Sequence, residues 1–347
     1  MAYRVIQWTT GNVGVRSLRA LIANPEYELV GLYAYSNSKS GVDAAELAGL
    51  DTPTGVKATN DLDALIALKP DACVYTPQFP DFDDLERLLA GGVNVVATAA
   101  IITGSHYGPD VRQRLHEAGV RGGASLYGSG MNPGFANILA TTLTQVCDRV
   151  DQVRVVEAVD CTNYDSWETE VKVGYGKALD DPTLVPEAQQ ATAVFSDAVE
   201  VMAESLGVTL DQITFDMDAY PATETNELGY ATIPKGTVTA VDARWRGWVN
   251  GRDLIVLRTQ WLKGTNWNND FEVRHGYLME VDGRPTIRNH MMLMPPADWD
   301  EPDFMGFGMI ITAMPALNAI PGVVAAKPGV VSFNDIPSVA ARGFART

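Results

Sequence analysis

The feature that most constrains the fold is the first stretch of the chain, residues 3–14, which has the sequence YRVIQWTTGNVG. Its apolar run predicts a short β-strand, and the glycine turn leads into an amphipathic segment that predicts a helix. In the G-x-G-x-x-G fingerprint, the second glycine lets the backbone approach a pyrophosphate and the third lets the helix pack closely on the strand. Gly11 and Gly14 hold these two positions, whereas Thr9 stands at the first.

Two interpretations of this turn are open. One is a strand-to-helix turn that needs a residue in the left-handed conformation, and the other is a dinucleotide-binding turn. The position of the turn at the start of a βαβ-like pattern favours dinucleotide binding. The predicted cofactor contacts in the turn are Thr9, Thr10, Gly11, Asn12, Val13 and Gly14.

The loop after the second predicted strand, residues 27–35, bears on the choice of cofactor. An acidic residue at this place favours the free 2′-hydroxyl of NAD. Here Ser36, Asn37 and Lys39 follow the strand, and no acidic residue occurs before Asp43. This composition favours NADP through contacts to its 2′-phosphate, although NAD stays possible and a merely solvent-exposed polar loop is the alternative.

The remaining part of the first half alternates between apolar strands and amphipathic helices, which indicates a Rossmann-type doubly wound parallel sheet. Ligands of such sheets bind beyond the carboxyl ends of the strands. We therefore expect the strand ends near Thr9, Tyr75, Ala97 and Gly128 to converge. The cofactor contacts predicted at two of these ends are Thr76, Pro77, Ala97 and Thr98.

A second glycine-rich turn, residues 128–135 with the sequence GSGMNPGF, precedes another predicted helix. Its backbone amides could form an anion or carbonyl site at the helix N-terminus, in which Asn132 and Pro133 are the predicted cofactor contacts. A structural crossover between two domains is an equally open interpretation, and the two are compatible.

The pattern changes after residue 148. A predicted strand, a polar and aromatic stretch and a long helix over residues 187–206 precede several strand-like segments, with tight turns expected at Asn250-Gly251 and Asp282-Gly283. This order predicts a second, α+β domain with a mixed or antiparallel sheet. The predicted domains are 1–148 for the dinucleotide, joined by the C-terminal segment 311–347, and 149–310 for substrate and dimerisation.

Composition narrows the class of partner. With a formal net charge of -17, the chain has no excess of basic residues to offset phosphate repulsion, so a nucleic-acid partner is not expected. The 3 cysteines are widely separated and lack metal-ligand spacing, which indicates a reducing compartment and no metal site. Polar residues interrupt the apolar runs, so neither a membrane span nor a signal peptide is expected. The sequence predicts a cytoplasmic protein with a small-molecule substrate.

The chain resembles proteins with a dihydrodipicolinate-reductase-like N-terminal domain. The resemblance rests on the opening stretch, on residues 96–99 (VATA), on the turn at 128–135 and on residues 316–321 (ALNAIP), and it covers nearly the whole chain. The wider group includes 2,4-diaminopentanoate dehydrogenase and native amine dehydrogenases, which use NAD(P) to interconvert amines and carbonyl compounds. The resemblance implies a C-terminal tail that returns to the nucleotide domain, and a homodimer formed by pairing of two sheets.

Two departures from this group bear on activity. None of the 4 histidines neighbours another, so the paired-histidine signature of true dihydrodipicolinate reductases is missing and that activity is excluded. Amine dehydrogenases of the group carry a glutamate just after the strand that ends here at Thr98, whereas this chain has AAII at residues 99–102. The glutamate cannot be carried over to this sequence.

Hydride transfer to a C=O or C=N bond needs a proton donor or a polarising group. The candidates are Tyr75, Glu157, Tyr164 and His106, each with a purely structural alternative. The predicted function is an NADP-dependent oxidoreductase that reduces a carbonyl or imine of a hydrophobic small molecule by direct hydride transfer. The alternatives are an amine dehydrogenase with a relocated acid and an NADP-binding sensor without catalysis.

Overall fold

A computed structural model describes residues 2–267, 273–301, 305–337 and 339–345. The chain divides into two compact units. Unit 1 comprises residues 1–135 and 306–347, and unit 2 comprises residues 136–305. The first part of unit 1 ends at residue 135, whereas the sequence predicted a domain boundary at 148. The difference arises because the helix that begins at Ala136 packs on strands and a helix of unit 2.

Unit 1 is built on a seven-stranded parallel sheet with the order β15-β6-β5-β4-β1-β2-β3. Its strands are β1 (Tyr3–Trp8), β2 (Tyr27–Tyr33), β3 (Ala58–Thr59), β4 (Ala72–Tyr75), β5 (Asn94–Ala97), β6 (Ser125–Gly128) and β15 (Gly329–Val331). The central strands β4, β5 and β6 are buried along their whole length, as expected for a sheet covered on both faces. This is the doubly wound architecture that the sequence predicted.

The helices of unit 1 connect these strands. They are α1 (Asn12–Ala23), α2 (Ala44–Ala48), α3 (Leu62–Ala67), α4 (Phe82–Ala90), α5 (Pro109–Gly122), α10 (Met305–Asn318) and α11 (Ile320–Val324). Helices α2, α3 and α4 each begin after an aspartate whose carboxylate accepts backbone N–H bonds at the N-terminus.

The segment Met305–Val324, which spans α10 and α11, is long and apolar enough to cross a membrane. The expectation that no stretch has this length and composition was therefore wrong. Ala316, Leu317, Ile320 and Val323 are fully buried and pack in the core formed with β1, β4 and β5. This packing against the sheet explains the apolar side of the segment.

Unit 2 contains a six-stranded mixed sheet with the order β14-β13-β7-β12-β11-β8. Its strands are β7 (Arg149–Asp160), β8 (Gln212–Pro221), β11 (Val238–Val249), β12 (Arg252–Leu262), β13 (Gly276–Arg284) and β14 (Ile287–Met291), and the short strands β9 (Asn226–Glu227) and β10 (Thr232–Ile233) form a separate pair. Strand β12 runs parallel to β7, and the other pairings in this sheet are antiparallel.

The helices of unit 2 are α6 (Ala136–Leu143), α7 (Trp167–Val173), α8 (Leu184–Ala191) and α9 (Val194–Ser205). Helices α8 and α9 replace the single helix predicted over 187–206, because the chain turns at Thr192 and Ala193. Helix α7 lies in a stretch that the sequence analysis did not assign to a helix.

Both predicted tight turns mark hairpins of the sheet, although only one lies at the predicted residues. The turn at Asn250-Gly251 is confirmed, since both residues have positive φ (51° and 74°) between β11 and β12. The hairpin predicted at Asp282-Gly283 is also present, since β13 and β14 pair antiparallel up to Val281 and Ile287, but both residues still belong to β13 and the chain reverses just after them. A Cβ at Gly283 would lie 2.2 Å from the carbonyl oxygen of Arg149 on β7, so close approach of the neighbouring strand accounts for this glycine.

Candidate functional site

The turn between β1 and α1 has the geometry of a dinucleotide-binding turn. The left-handed residue is Thr9, at φ 74°, whereas Gly11 has φ -77°, which any residue can adopt. A Cβ at Gly11 would meet no described atom within 4 Å, and one at Gly14 would lie 2.5 Å from the Thr9 carbonyl oxygen. Gly11 therefore leaves open space in front of the turn, and Gly14 allows α1 to pack against the end of β1.

A buried hydrogen-bond network holds this turn against the end of β4. The Gln7 Nε2 group donates to the Thr9 carbonyl oxygen at 3.1 Å and to Thr76 Oγ1 at 2.9 Å, and Thr76 Oγ1 donates to the Trp8 carbonyl oxygen at 2.7 Å. Ser17 of α1 donates to Gln7 Oε1 at 2.8 Å. These bonds fix a β-branched residue at positive φ, a conformation that costs of order 1–3 kcal/mol.

The N-terminus of α1 suits an anion. Its N-cap residue is Gly11, which has no side chain to accept hydrogen bonds from the first amides of the helix. The first turn contains no acidic residue. The first amides of a helix lack intrahelical partners, and together with the helix dipole they favour negative charge. The turn could therefore hold the pyrophosphate of a dinucleotide, for which Gly11, Asn12 and Val13 would provide the amides.

The loop after β2 folds back onto this turn. Lys39 Nζ donates to Thr10 Oγ1 at 2.8 Å, although the two residues are 29 positions apart. The Ser36 and Ser38 hydroxyl oxygens lie 2.6 Å apart, and Asn60 donates to Asn37 Oδ1 at 2.9 Å. Hydroxyls and an ammonium group are thus held beside the glycine turn, which is the donor set that a phosphate requires.

Tyr75 does not have the position expected of a proton donor. Its side chain is fully buried, and its hydroxyl oxygen accepts a hydrogen bond from the Asp81 amide at 2.9 Å. Burial raises the pKa of Tyr75 far above its usual value. The ring packs near Trp8, which stacks on Tyr33 with ring centroids 3.8 Å apart. Tyr75 is therefore a core residue that supports the ends of β1, β2 and β4.

The ends of β5 and β6 complete the edge of the sheet. The Ala97 carbonyl oxygen accepts a hydrogen bond from the Ser129 amide at 2.9 Å, and the Thr98 amide donates to the Tyr75 carbonyl oxygen at 3.0 Å. The second glycine turn follows at once, with a cis peptide bond between Asn132 and Pro133. Backbone contacts therefore bring Thr98, Ser129 and the end of β4 together. Pro77, which follows the buried Thr76, is partly exposed.

The segment after Thr98, where the resemblance implies a glutamate, is apolar and mostly buried. Ala99, Ile101 and Ile102 are at most 5% exposed, and a Cβ at Gly128 would lie 2.0 Å from the Ile101 carbonyl oxygen. The segment thus packs directly over the end of β6. His106 follows in a 3₁₀ turn (Ser105–Tyr107), with its ring 3.9 Å from that of Tyr107. Residues 99–102 thus contribute no acidic side chain to this edge of the sheet.

Unit 2 holds the other two candidate catalytic residues. Glu157 lies on β7 opposite Thr259 and Tyr277, and the Tyr277 hydroxyl approaches its carboxylate at 3.5 Å. Tyr164 lies in the loop after β7 with its side chain partly exposed, and its carbonyl oxygen accepts a hydrogen bond from Lys263 at 2.8 Å.

Two charged residues of unit 2 were missed by sequence reasoning. Lys263 is fully buried, and its Nζ lies 2.7 Å from the carboxylate of Glu170, which is 8% exposed. Lys263 directly follows β12, and Glu170 lies in a stretch assigned no regular structure. The only sequence signal was a lysine at the end of an apolar strand, where an exposed position is the usual expectation.

Comparison with known proteins agrees with this architecture. The profile of the 2,4-diaminopentanoate dehydrogenase C-terminal domain matches residues 136–344. An amine dehydrogenase of Streptomyces virginiae is 31% identical over 96% of this chain and 95% of its own length. The chain belongs to this family of 2,4-diaminopentanoate and amine dehydrogenases. It is therefore an oxidoreductase that uses a nicotinamide cofactor.

Solved structures show the same fold. That of an amine dehydrogenase from Mycobacterium smegmatis matches with a TM-score of 0.79 at 19% identity, over 99% of this chain and 98% of its own. A probable dehydrogenase from Thermotoga maritima matches with a TM-score of 0.54 at 13% identity, over 95% of this chain and 91% of its own.

Proposed function

We propose that this family member is an NADP-dependent amine dehydrogenase. In the reductive direction it converts a hydrophobic carbonyl compound and ammonia into an amine. The observation that carries the proposal is the full-length similarity to the Streptomyces virginiae enzyme, which extends through both units. The bound nicotinamide supplies the hydride, and the residues of this chain bind the cofactor and handle the protons.

The loop of residues 36–39 supports the choice of NADP. Lys39 is held beside Thr10 by a hydrogen bond, so its ammonium group stands next to the predicted pyrophosphate turn. The loop contains no carboxylate to accept hydrogen bonds from the ribose hydroxyls, which is the usual means of preferring NAD. A 2′-phosphate would meet a cation and hydroxyl groups there.

Reduction of a carbonyl without ammonia is the second candidate function. The segment of residues 99–102 favours it, because its side chains are those of alanine and isoleucine and supply no carboxylate to activate ammonia. In that case the product is an alcohol and no nitrogen is incorporated.

The test is turnover of NADPH with a series of hydrophobic ketones and aldehydes, with and without ammonium, in the purified full-length protein. We expect oxidation of NADPH that requires ammonium and gives the amine. Turnover that is independent of ammonium and gives the alcohol would support the second candidate instead. Binding of NADPH without turnover of any carbonyl would indicate a sensor.

A further inference from the structure

An exposed aromatic ring lies directly beside the loop of residues 36–39. Tyr35 is 53% exposed and immediately precedes Ser36. The Trp8 indole N–H donates to the Tyr35 hydroxyl at 3.3 Å, and the ring meets that of Tyr33 edge to face, with centroids 5.1 Å apart. Tyr33 in turn stacks on Trp8. Tyr35 is therefore held at two places and presents an aromatic surface to solvent just after β2.

The exposure of Tyr35 is the reverse of the usual arrangement. A tyrosine on a protein surface commonly packs its apolar ring against the protein and leaves its hydroxyl in water. Here the hydroxyl is bonded to a buried tryptophan, whereas more than half of the residue is exposed. Packing within unit 1 does not account for this orientation, and a flat ligand that covers the ring would.

The neighbouring turn limits what such a ligand can be. The Thr9 amide donates to the Tyr33 carbonyl oxygen at 2.9 Å, so the end of β2 lies against the candidate pyrophosphate turn. Lys39 reaches Thr10 of the same turn. In NADP, the 2′-phosphate and the adenine base are attached to adjacent carbons of one ribose. A phosphate held by Lys39 therefore places the base close to this loop, and Tyr35 is the one aromatic residue among residues 34–43.

A half-buried carboxylate lies near the same ring. Asp84 belongs to the first turn of α4, and within the described ranges its carboxylate accepts no hydrogen bond and forms no ion pair. Burial raises its pKa, and the charge of Asp81 raises it further, although Arg87 acts in the opposite direction. Burial is also the main reason why the pKa of Tyr35 is raised. The Trp8 hydrogen bond lowers that pKa and the Asp84 charge raises it, so this carboxylate faces the Tyr35 hydroxyl.

An aromatic surface beside a carboxylate without a donor suits an adenine base. Bases stack on aromatic side chains whatever their sequence identity, and their polar edges are read by hydrogen bonds. Adenine carries an amino group at C6 that donates hydrogen bonds, whereas guanine and hypoxanthine carry a carbonyl oxygen there. A carboxylate accepts from the amino group and repels the carbonyl oxygen.

We propose that Tyr35 stacks on the adenine base of the cofactor and that Asp84 accepts a hydrogen bond from its 6-amino group. This inference rests on the cofactor part of the proposed function and adds recognition of the base to it. All the residues involved belong to unit 1, and neither the carbonyl substrate nor the use of ammonium enters the argument.

The first test measures which base the protein prefers. NADPH is compared with reduced nicotinamide hypoxanthine dinucleotide phosphate by fluorescence titration of the purified full-length protein. We expect the wild type to bind NADPH about tenfold more tightly or better, as for one hydrogen bond to a charged group. Equal affinities in the wild type would overturn the assignment of Asp84.

Variants of α4 connect this preference to one carboxylate. Asp84→Asn should reduce the preference to about threefold or less, because a side-chain amide can pair with either base. Asp83→Asn is the control, since Asp83 lies in the same helical turn with its side chain 82% exposed, and it should keep the wild-type preference. An unchanged preference in Asp84→Asn would overturn the assignment.

The second test removes the aromatic surface. Tyr35→Leu should weaken NADPH and NADH alike by about tenfold, because both cofactors carry the same base. Tyr35→Phe keeps the ring and should stay within about threefold of the wild type. Wild-type affinity in Tyr35→Leu, or a loss for NADPH alone, would overturn the stacking role. If calorimetry shows that Tyr35→Leu does not fold, the wild-type preference for adenine decides.

Both tests measure binding and so separate this inference from the proposed amination. Preference for the adenine nucleotide without ammonium-dependent turnover would support the inference and overturn the amine dehydrogenase function. A protein that binds neither NADPH nor NADH would overturn both.

Discussion

Gly11 and Gly14 stand three residues apart in one turn, yet an added side chain meets different surroundings at each. At Gly11 the nearest described atoms are more than 4 Å from an added Cβ. At Gly14 the Cβ would lie 2.5 Å from the Thr9 carbonyl oxygen and 2.9 Å from Thr76 Oγ1. We therefore expect Gly11→Val to remove cofactor binding without unfolding unit 1, and Gly14→Ala to destabilise unit 1.

The magnitudes follow from these contacts. Both atoms that face Gly14 are fixed, since Gln7 donates to each of them. Forcing a methyl group into such a packed place costs about 1–3 kcal/mol, and each kcal/mol lowers the Tm of a domain of this size by about 2–4 °C. At Gly11 the loss is one of binding. Hydrogen bonds to a charged group contribute about 1.5–3 kcal/mol each, so losing two amide–phosphate bonds weakens binding roughly 100-fold or more.

The assay is fluorescence titration with NADPH together with differential scanning calorimetry on both variants and the wild type. Gly11→Val should keep the wild-type Tm and lose affinity, whereas Gly14→Ala should show the lower Tm. Wild-type affinity in Gly11→Val would refute the assignment of the turn to the pyrophosphate. An unchanged Tm in Gly14→Ala would refute the packing argument.

Three further predictions concern the cofactor, the ion pair and the assembly. Lys39→Ala should weaken NADPH binding about tenfold and leave NADH binding unchanged, as expected for the loss of one partly screened charge–phosphate contact. Lys57→Ala, at an exposed lysine, is the control, and equal effects on both cofactors would contradict the NADP assignment. Lys263→Met should lower the free energy of unfolding by about 3–5 kcal/mol at pH 8, because Glu170 is left buried without its partner. The folded-state pKa of Glu170 lies above its unfolded value, so this loss should shrink as pH falls through 7 towards the ordinary pKa of a glutamate, and a loss that is independent of pH would contradict it. We also propose a homodimer, for which light scattering should give twice the chain mass of 37.5 kDa, and a monomer mass would overturn it.

Much of unit 1 was predictable because its signals are local. Strand, glycine turn and helix occur within residues 3–23, and the alternation that follows permits few topologies. The sequence could not show which residue takes the left-handed conformation. That residue is Thr9, which is held in place partly by Thr76 at the end of β4. Thr76 is 67 positions away in the sequence, so no short-range pattern encodes this contact.

The interior of unit 2 was less predictable, since its polar contacts join distant parts of the chain. Lys263 meets Glu170 and Tyr164 across about a hundred residues, and Tyr230 reaches the same cluster from another loop. From the sequence alone, a lysine, a glutamate and loop tyrosines are expected at the protein surface. Tyr75 shows the converse error, because a polar residue at a strand end was expected to face the cofactor, whereas its ring completes the core.

The central claim is that the chain transfers hydride from a nicotinamide to a carbon–nitrogen double bond. The most direct test uses deuterium-labelled NADPH and isotopically labelled ammonium with a hydrophobic ketone, followed by mass spectrometry of the product. The account predicts an amine that carries both labels. An alcohol that carries deuterium and no labelled nitrogen would contradict the account and identify a carbonyl reductase.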